Sequence, residues 1–383
     1  MNTLGLYLHL PFCRSKCGYC AFNSRPLRDA NEFEAYLHAL EKELAAQVDH
    51  LARATVATIY FGGGTPSLAA PSQLGTLIAQ VRRLAGALAP DAEITLEANP
   101  DTLTEQSLAE LRAAGVNRLS LGAQSFGAAA LAFLERRHRP AQAERAFRAA
   151  RRVGFDNVSL DLIAGLPAPH DEAYRADLAA ALALAPEHLS VYLLTAEPPS
   201  RLHEAVCAGR VALLDAERQV DIFLDIDAAL VRAGFEHYEV SNFARPGRRA
   251  RHNAAYWSGA PYLGLGAGAH SFGEREGQPS RWANASDADE YVRRLERGAS
   301  PVDFTETVTP EMARREKLML KLRTSEGADL REFGEAAPIL AAALSRFVEQ
   351  GWYTRDGTRF RPTPAGMLVA DGVATALWKA MEP

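Results

Sequence analysis

The sequence has little cysteine, little net charge and no long apolar run. Its 383 residues contain only four cysteines, which do not make a disulfide framework, so we expect a reducing, cytoplasmic compartment. The formal net charge of -5 argues against a general nucleic-acid binder. The first apolar run is short and ends at Pro11, so we expect neither a signal peptide nor a membrane span.

Three of the four cysteines lie in one short stretch. Cys13, Cys17 and Cys20 are separated by three and then by two residues. Clustered thiolates are soft ligands that suit iron–sulfur clusters, zinc and Cu(I). Three thiolates on a four-iron cluster leave one iron without a protein ligand, and that iron can bind a small molecule through nitrogen and oxygen atoms. For the remaining cysteine, Cys207, we expect a partly buried thiol without a role.

From residue 4 to about residue 240, short β-rich runs alternate with amphipathic helical segments. The six predicted strands are 4–10, 56–61, 94–97, 118–121, 158–162 and 189–194. The predicted helices are 29–52, 71–88, 104–114, 128–136, 141–153, 172–184 and 213–233, with Thr104 and Gly115 as the end signals of the third. This alternation predicts an α/β fold, an incomplete (β/α)6 barrel of TIM type, with a doubly wound open sheet as the competing layout.

The pattern changes after about residue 233. We predict one more strand at 235–240 and irregular structure over 245–273, which is rich in glycine, arginine and aromatic residues. Helices near 310–323 and 336–350, a hairpin over 352–360 and a final helix predict a smaller winged-helix-like C-terminal domain. We place the domain limits at 1–240, 241–305 and 306–383. The last domain has no basic face, so DNA binding is not expected.

Polar or glycine-rich groups follow the predicted strands at the ends where parallel α/β sheets bind ligands. After the cysteines, they are Gly62-Gly63-Gly64-Thr65, Glu97 with Asn99, Gln124, Asp161 and Thr195. Each alone is easily a solvated loop residue, a tight turn or a helix cap. Their repetition beside a cysteine cluster predicts a pocket for a polar small molecule. Glu97 and Asp161 can accept from hydroxyl or ammonium groups, and Arg136 can hold a carboxylate, as an amino acid joined to a ribose requires.

The spacing Cys13-x-x-x-Cys17-x-x-Cys20, together with Gly62-Gly63-Gly64-Thr65-Pro66, resembles the radical S-adenosylmethionine (radical SAM) superfamily. The stretches YLHLPFC, FGGGTPS, EANPD, LSLGAQSF, DLIAGLP and YLGLGAGAHS are similar to its coproporphyrinogen oxidase-like branch and cover most of residues 4–273. Ala21-Phe22 after the third cysteine, and an HNxxYW signature at 252–257, resemble the HemW-type haem chaperones of that branch. The oxygen-independent coproporphyrinogen III oxidase is the alternative.

This resemblance implies a set of cofactors and the residues that hold them. A [4Fe–4S] cluster is implied at Cys13, Cys17 and Cys20. S-adenosylmethionine is implied at Tyr7, Tyr19, Gly63, Gly64, Thr65, Glu97, Gln124, Arg136 and Asp161, with Thr195 and His270 near further such positions. Haem is implied at His252, Asn253, Tyr256 and Trp257. The resemblance implies a haem chaperone with no assigned catalytic residue, which delivers haem to apo-haemoproteins such as membrane respiratory enzymes; a homodimer is also considered.

The residues of the haem motif are less specific when they are considered without the resemblance. His252 beside Tyr256 and Trp257 fits a haem ligand with stacking aromatic rings, and it also fits a structural histidine among core aromatic residues. The nearby arginines fit a solvated face, partners for haem propionates, or partners for acidic groups of a recipient protein. They are Arg245, Arg248, Arg249 and Arg251. His9 and His138 are further candidate iron ligands.

Overall fold

The computed structural model describes residues 2–381. The chain forms two compact units. The barrel unit comprises Met1–Leu214 and Ala260–Thr307, and the second unit comprises Asp215–Gly259 and Val308–Pro383. These units are defined by contacts within the chain, and the three domain limits given above stay a prediction. Within residues 2–381, no helix combines the length and the apolar character needed to cross a bilayer.

Six parallel strands form the centre of the barrel unit. They are β1 (Asn2–Leu10), β2 (Ala54–Gly63), β3 (Ala87–Ala98), β4 (Arg118–Gln124), β5 (Val158–Ala164) and β6 (His188–Leu193). Each strand pairs in parallel with the next one along the chain. A doubly wound sheet reverses its strand order midway, and this sheet does not, so the competing layout is wrong. The predicted partial barrel is confirmed.

Four further strands extend the sheet beyond β1. They are β7 (Tyr262–Leu265), β8 (His270–Arg275), β9 (Gln278–Asn284) and β10 (Val302–Thr307). β7 is parallel to β1, and each of the following pairs is antiparallel. The extension holds the segment between β7 and β8 beside the end of β1, which leads to the cysteines.

The helices of the barrel unit follow the predicted alternation. They are Ala30–Ala46, Val48–Leu51, Pro71–Leu84, Glu105–Ala114, Ala128–Phe133, Pro140–Arg152, Ala173–Leu184, Arg201–Cys207 and Ala288–Glu296. Single 3-10 turns occupy Pro66–Leu68 and Pro100–Thr102, and a two-residue parallel pair joins Phe12–Cys13 to Arg25–Pro26. The predicted helix ends at Thr104 and Gly115 are confirmed. Thr104 Oγ1 accepts from the Ser107 amide at 3.0 Å, and Gly115 ends the helix at φ +113.

Strand alternation places the site residues of β1 opposite its core residues. Leu4, Leu6, Leu8 and Leu10 are buried on one face. Tyr7 and His9 alternate with them and therefore lie on the other face. There the Tyr7 ring stacks on Tyr60 of β2, with 6.0 Å between ring centroids. One side of β1 thus packs into the core, and the other contributes to the site.

The second unit combines helices with short hairpins. Its helices are Ala216–Arg232, Arg251–Ser258, Pro310–Lys321, Ala337–Glu349, Pro364–Leu368 and Ala370–Ala380, with a 3-10 segment at Leu330–Ala336. Its strands are Glu236–Glu239, Asn242–Ala244, Ala328–Asp329, Tyr353–Asp356 and Arg359–Pro362. The predicted hairpin at Asp356-Gly357 is confirmed, with Gly357 at φ +59. Leu318, Leu344, Phe360 and Leu377 form the centre of its core.

The prediction of irregular structure over 245–273 is wrong. This segment contains the helix Arg251–Ser258, the strand β7 and the start of β8. The helix ends at Gly259, which adopts φ +71, and Leu263 and Leu265 of β7 are buried beside β1. Two short elements separated by glycines do not provide enough residues for a periodic pattern to be visible.

Candidate functional site

The cysteine loop, residues 13–24, follows β1 and has a partly exposed thiol at each of its three cysteines. Each sulfur has a hydrogen-bonding partner. Thr65 Oγ1 donates to Cys13 Sγ at 3.4 Å, and Arg136 Nη1 donates to Cys17 Sγ at 3.6 Å. Cys20 Sγ lies 3.8 Å from Ser24 Oγ. Donors of this kind, one of them a cation, stabilise thiolates, which are the form that binds metal.

Burial raises the pKa of the Cys13 thiol, and the neighbouring thiols Cys17 and Cys20 raise it further. A bound metal centre removes this cost because it ligates the thiolate form. Within residues 2–381, no three His, Cys, Asp or Glu side chains converge as the ligands of a single metal ion do. A cluster takes each thiolate at a different iron, so its ligands can stand apart. Three thiolate donors match the ligand type of an iron–sulfur cluster.

The glycine-rich loop after β2 lies directly against the chain that leads to Cys13. The Gly64 amide donates to Leu10 O, and the Thr65 amide donates to Phe12 O, both at 2.8 Å. A Cβ on Gly64 would lie 2.6 Å from Phe12 O, which is backbone and cannot move aside alone. A Cβ on Gly63, at φ +113, would lie 2.5 Å from the His9 ring. Both positions therefore require glycine.

The carboxylates of Glu97, on β3, and Asp161, on β5, are close enough for their charges to interact. Glu97 Oε1 accepts from the Tyr60 hydroxyl at 2.7 Å, and its Oε2 accepts from the Gly63 amide at 3.2 Å. Asp161 accepts from the Ser120 hydroxyl at 3.0 Å. Burial raises the pKa of Glu97 to about 7, and the charge of Asp161 adds to this effect. Burial also raises the pKa of Asp161. A cationic ligand would favour the ionised form of both groups.

Arg136 connects the cysteine loop to two strand ends. Its Nη2 donates to Asn99 Oδ1 at 2.6 Å and to Gly122 O at 2.9 Å, while its Nη1 reaches Cys17. Its Nε is buried and has no hydrogen-bonding partner among the residues described. A buried donor without a protein partner is rare, and it leaves this nitrogen able to donate to a ligand or to water. Tyr19 lies beside Arg136, and burial raises the pKa of its hydroxyl well above the usual value.

Asn99 is among the strand-end residues that predict the pocket, but it is not among those that the resemblance assigns to S-adenosylmethionine. Its Nδ2 donates to Thr65 Oγ1 at 3.1 Å, and its Oδ1 accepts from Arg136. Asn99 thereby connects Thr65, which donates to Cys13, with Arg136, which donates to Cys17. Its position immediately after β3, within the EANPD stretch, was the signal available in the sequence.

Four further residues were predicted to bind S-adenosylmethionine or to lie near its site. Gln124 ends β4 at φ +62, an unusual conformation for a residue other than glycine. Tyr7 donates from its hydroxyl to His9 Nδ1 at 2.9 Å. Thr195 follows β6 and His270 begins β8, and both are exposed. The structure thus brings together the cysteines, the Gly63–Thr65 segment, Glu97, Arg136 and Asp161, and places Thr195 and His270 at the surface.

His9 and His138 both make internal hydrogen bonds. His9 Nε2 donates to Asn23 O at 2.9 Å, so both of its ring nitrogens have partners. Burial lowers its pKa. His138 Nε2 donates to Ala123 O at 3.0 Å, and burial lowers its pKa to about 4. Both rings are therefore neutral near pH 7, and these contacts give each a structural role.

The four residues predicted to bind haem lie in the second unit, on the helix Arg251–Ser258. His252 is buried, with 2% of its surface exposed. Its Nε2 lies 2.8 Å from the Tyr256 hydroxyl, and the two rings meet edge to face at 4.9 Å. Asn253 and Trp257 are partly exposed. The motif therefore has one buried histidine and an accessible aromatic residue one turn further along the helix.

Arg245 and Arg249 make structural contacts within the second unit. Arg245 stacks on Phe235, 4.2 Å from the ring centroid, and donates to Ala233 O. Arg249 pairs with Glu236 at 3.1 Å and Glu326 at 3.2 Å. These contacts give Arg245 and Arg249 a structural role within the unit.

Cys207 is exposed, so the prediction of a partly buried thiol is wrong. It lies at the C-terminal end of the helix Arg201–Cys207. Its Sγ is 3.5 Å from His203 Nε2, one turn earlier on the same helix. The short helix ends there, and the thiol consequently lies at the surface.

Comparison with known proteins first gives the class. Residues 7–180 match the Radical SAM superfamily, and residues 308–369 match the HemN C-terminal domain. The structure is similar to that of coproporphyrinogen III oxidase (HemN) from Escherichia coli, with a TM-score of 0.83 over 98% of this chain and 90% of that one. At 23% sequence identity, this likeness shows a shared fold. Fold and sequence match together define a radical SAM protein with a HemN-type C-terminal domain.

Closer relatives then give the family. Heme chaperone HemW of Mycobacterium tuberculosis is 37% identical over 378 residues, which are 98% of this chain and 95% of that protein. Heme chaperone HemW of Bacillus subtilis is 34% identical over 86% of each chain, and that of Escherichia coli is 41% identical over 70% of each. The chain belongs to the heme chaperone HemW family.

Proposed function

We propose that this protein binds haem and passes it to apo-haemoproteins. The observation that carries the proposal is its relationship, along 98% of its length, to a heme chaperone HemW. We further propose that it works in the cytoplasm as a homodimer, and that its recipients are membrane respiratory enzymes. The oxidase alternative has weaker support, because the similarity to HemN, at 23% identity, concerns the fold alone.

The proposed [4Fe–4S] cluster is held by Cys13, Cys17 and Cys20. When bound, it supplies a redox-active iron with an open coordination position. Thr65 and Arg136 donate to two of the thiol sulfurs and thereby favour their thiolate forms. The absence of a side chain at Gly64 keeps the loop after β2 close to Phe12, which precedes Cys13.

The proposed S-adenosylmethionine site uses the strand ends around these cysteines. Glu97 and Asp161 offer carboxylates to a ligand that carries ammonium and hydroxyl groups. Burial raises the pKa of both, and the positive charge of Arg118 offsets only part of that shift. Arg136 offers a guanidinium near the ligand's carboxylate. The remaining members of the proposed site are Tyr7, Tyr19, Gly63, Gly64, Thr65 and Gln124.

The proposed haem site is the helix Arg251–Ser258, with His252 as the axial ligand. The Tyr256 hydroxyl is bonded to His252 Nε2, so this hydroxyl must turn away before iron can reach that nitrogen. Tyr256 then offers a donor at the edge of the site, and the partly exposed Trp257 offers a surface for stacking. Asn253 is the remaining polar member of the motif.

A haem titration with matched histidine variants tests this assignment. We expect His252→Ala to weaken haem binding by about tenfold or more, because an axial ligand is lost. His237→Ala is the control, since His237 lies in the same unit and is bonded to Asp227 at 2.8 Å. Equal haem affinity in the wild type and His252→Ala would refute the role of His252. An equal loss in both variants would indicate damage to the unit instead.

An anaerobic assay tests the oxidase alternative. The reconstituted protein, supplied with S-adenosylmethionine and coproporphyrinogen III, is expected to form no protoporphyrinogen. Formation of the decarboxylated product by the wild type, and its loss in Cys17→Ser, would replace the chaperone proposal with the oxidase.

A further inference from the structure

A second glycine-rich segment lies against the end of β1 and against the cysteine loop. This glycine loop, residues 266–269, connects β7 to β8. A Cβ on Gly266, at φ +101, would lie 2.5 Å from His9 O and 2.7 Å from the Tyr36 hydroxyl. The two backbone segments therefore approach each other as closely as their atoms permit, and they do so only because glycine is present.

Asn23 connects the two loops through its side chain. It lies three residues after Cys20, and its Nδ2 donates to Ala267 O at 3.2 Å and to Ser286 O at 2.9 Å. Its own carbonyl accepts from His9 Nε2. A Cβ on Gly268, at φ +71, would lie 2.4 Å from Asn23 Nδ2, so a larger residue here would displace the Asn23 amide. The end of the cysteine loop is thus bonded both to the glycine loop and to β1.

Buried groups hold the glycine loop from its other side. Glu43, 3% exposed, accepts from the Gly266 amide at 2.8 Å and from the Tyr291 hydroxyl at 2.6 Å. The Tyr36 hydroxyl accepts from the Ala267 amide and donates to His9 O, each at 2.8 Å. Both side chains come from the helix Ala30–Ala46, which begins soon after the cysteine loop. The glycine loop is therefore fixed by hydrogen bonds that involve none of the cysteines.

We propose that the glycine loop is a preformed support for the cysteine loop, and that Asn23 is the positioning residue that links them. The support gives the cysteine loop its shape before any metal binds. The role in metal binding rests on the proposed cluster at Cys13, Cys17 and Cys20, whereas the link itself exists in the metal-free protein. It lowers the cost of ordering three ligands when the cluster forms.

Hydrogen exchange of the metal-free protein tests the link without reference to a cluster. The Arg25 amide donates to Pro11 O and the Leu27 amide to Cys13 O, both at 2.8 Å. We expect exchange in a peptide spanning residues 12–28 to rise about tenfold in Asn23→Ala, as the loss of two hydrogen bonds predicts. Asn117→Ala is the control, because Asn117 also makes two side-chain bonds to main chain, to Ala92 and Ile94. It should leave this peptide unchanged.

A glycine pair provides a second test. Gly268→Ala should displace the Asn23 amide and reproduce the faster exchange. Gly277→Ala introduces a similar backbone strain, at φ +75, but a Cβ there meets nothing within 4 Å. Wild-type exchange of the 12–28 peptide in both Asn23→Ala and Gly268→Ala would refute the support.

Cluster retention is measured in the same variants after anaerobic reconstitution. We expect Asn23→Ala to lose iron to a chelator about tenfold faster than the wild type and to show an altered electron paramagnetic resonance signal, with Asn117→Ala unchanged. If the wild type binds no iron while the exchange result holds, the proposed cluster is refuted and the support stands. If exchange is faster but iron loss is not, the positioning role is refuted.

Discussion

The side chain of Arg136 has three hydrogen-bonding partners in the candidate site. Its planar guanidinium donates in different directions to Cys17, Asn99 and Gly122. Lysine has one compact ammonium and cannot reproduce this fork. The structure therefore assigns Arg136 two tasks, to stabilise the Cys17 thiolate and to fix the end of β3.

Arg136→Lys keeps the positive charge at this position but removes the planar arrangement of hydrogen-bond donors. We expect about tenfold weaker S-adenosylmethionine binding and faster cluster loss, because the positive charge is kept while two hydrogen bonds are lost. Isothermal titration and iron analysis measure the two effects. Arg137→Lys is the matched control, since Arg137 is the exposed neighbour in the sequence. Wild-type affinity and wild-type iron retention in Arg136→Lys would contradict these tasks.

Glu97 should make S-adenosylmethionine binding depend on pH. Burial raises the pKa of its carboxyl from 4.5 to about 7, so below pH 7 the ligand-free protein holds a proton there. A cationic ligand favours the ionised form, so binding releases this proton and tightens as pH rises towards 7. We expect affinity to increase up to about fivefold between pH 6 and pH 7 and to level off near pH 8.

Glu97→Gln is the control for this dependence, because the amide does not titrate. The expected result is a nearly flat affinity profile over the same range. An equal pH slope in the variant and the wild type would assign the proton to another group.

Among the helices and strands, the best predicted are those whose sequence combines a periodic pattern with a recognisable end residue. The helix Glu105–Ala114 lies between Thr104 and Gly115, and both ends are as predicted. The strand β3 was predicted only over 94–97, because its first half includes Pro90 and Asp91, residues that rarely occur within strands. The predicted helix 71–88 consequently extended too far, since β3 already begins at Ala87.

Elements that depend on distant partners were not predictable. β7 has only four residues, and it is a strand because β1, more than 250 residues earlier, pairs with it. The helix Arg251–Ser258 has eight residues and one fully buried side chain, His252. A local sequence pattern does not reveal such short elements, because contacts with distant parts of the chain determine their structure. The same holds for Asn23, whose partners Ala267 and Ser286 are remote in the sequence.

The Thr104 cap offers an element-scale test of stability. Thr104→Ala should lower the free energy of unfolding by about 1 kcal/mol, because the Ser107 amide loses its acceptor. Chemical denaturation measures the change. Thr76→Ala is the control, since Thr76 is a mid-helix residue whose hydroxyl bonds only to Ser72 O in the preceding turn. An equal loss of unfolding free energy in Thr104→Ala and Thr76→Ala would contradict the stabilising role of the Thr104 cap.

At the scale of the whole molecule, the proposed cofactor sites fall into different units. The cysteines and the strand-end residues belong to the barrel unit, while His252 and its helix belong to the second unit. The sequence identified both groups by motif, and the structure adds their local partners. Members of the first group are joined by hydrogen bonds between strands, whereas those of the second lie on a single helix of eight residues.

The central claim is that the protein hands haem to a recipient. The most direct test mixes the haem-loaded protein with the apo-form of a membrane respiratory haemoprotein and follows both absorption spectra. We predict that the donor spectrum declines as the recipient spectrum appears, at a rate that rises with recipient concentration, because transfer requires an encounter. A rate that is independent of recipient concentration, equal to the release of haem to a solution scavenger, would contradict the account.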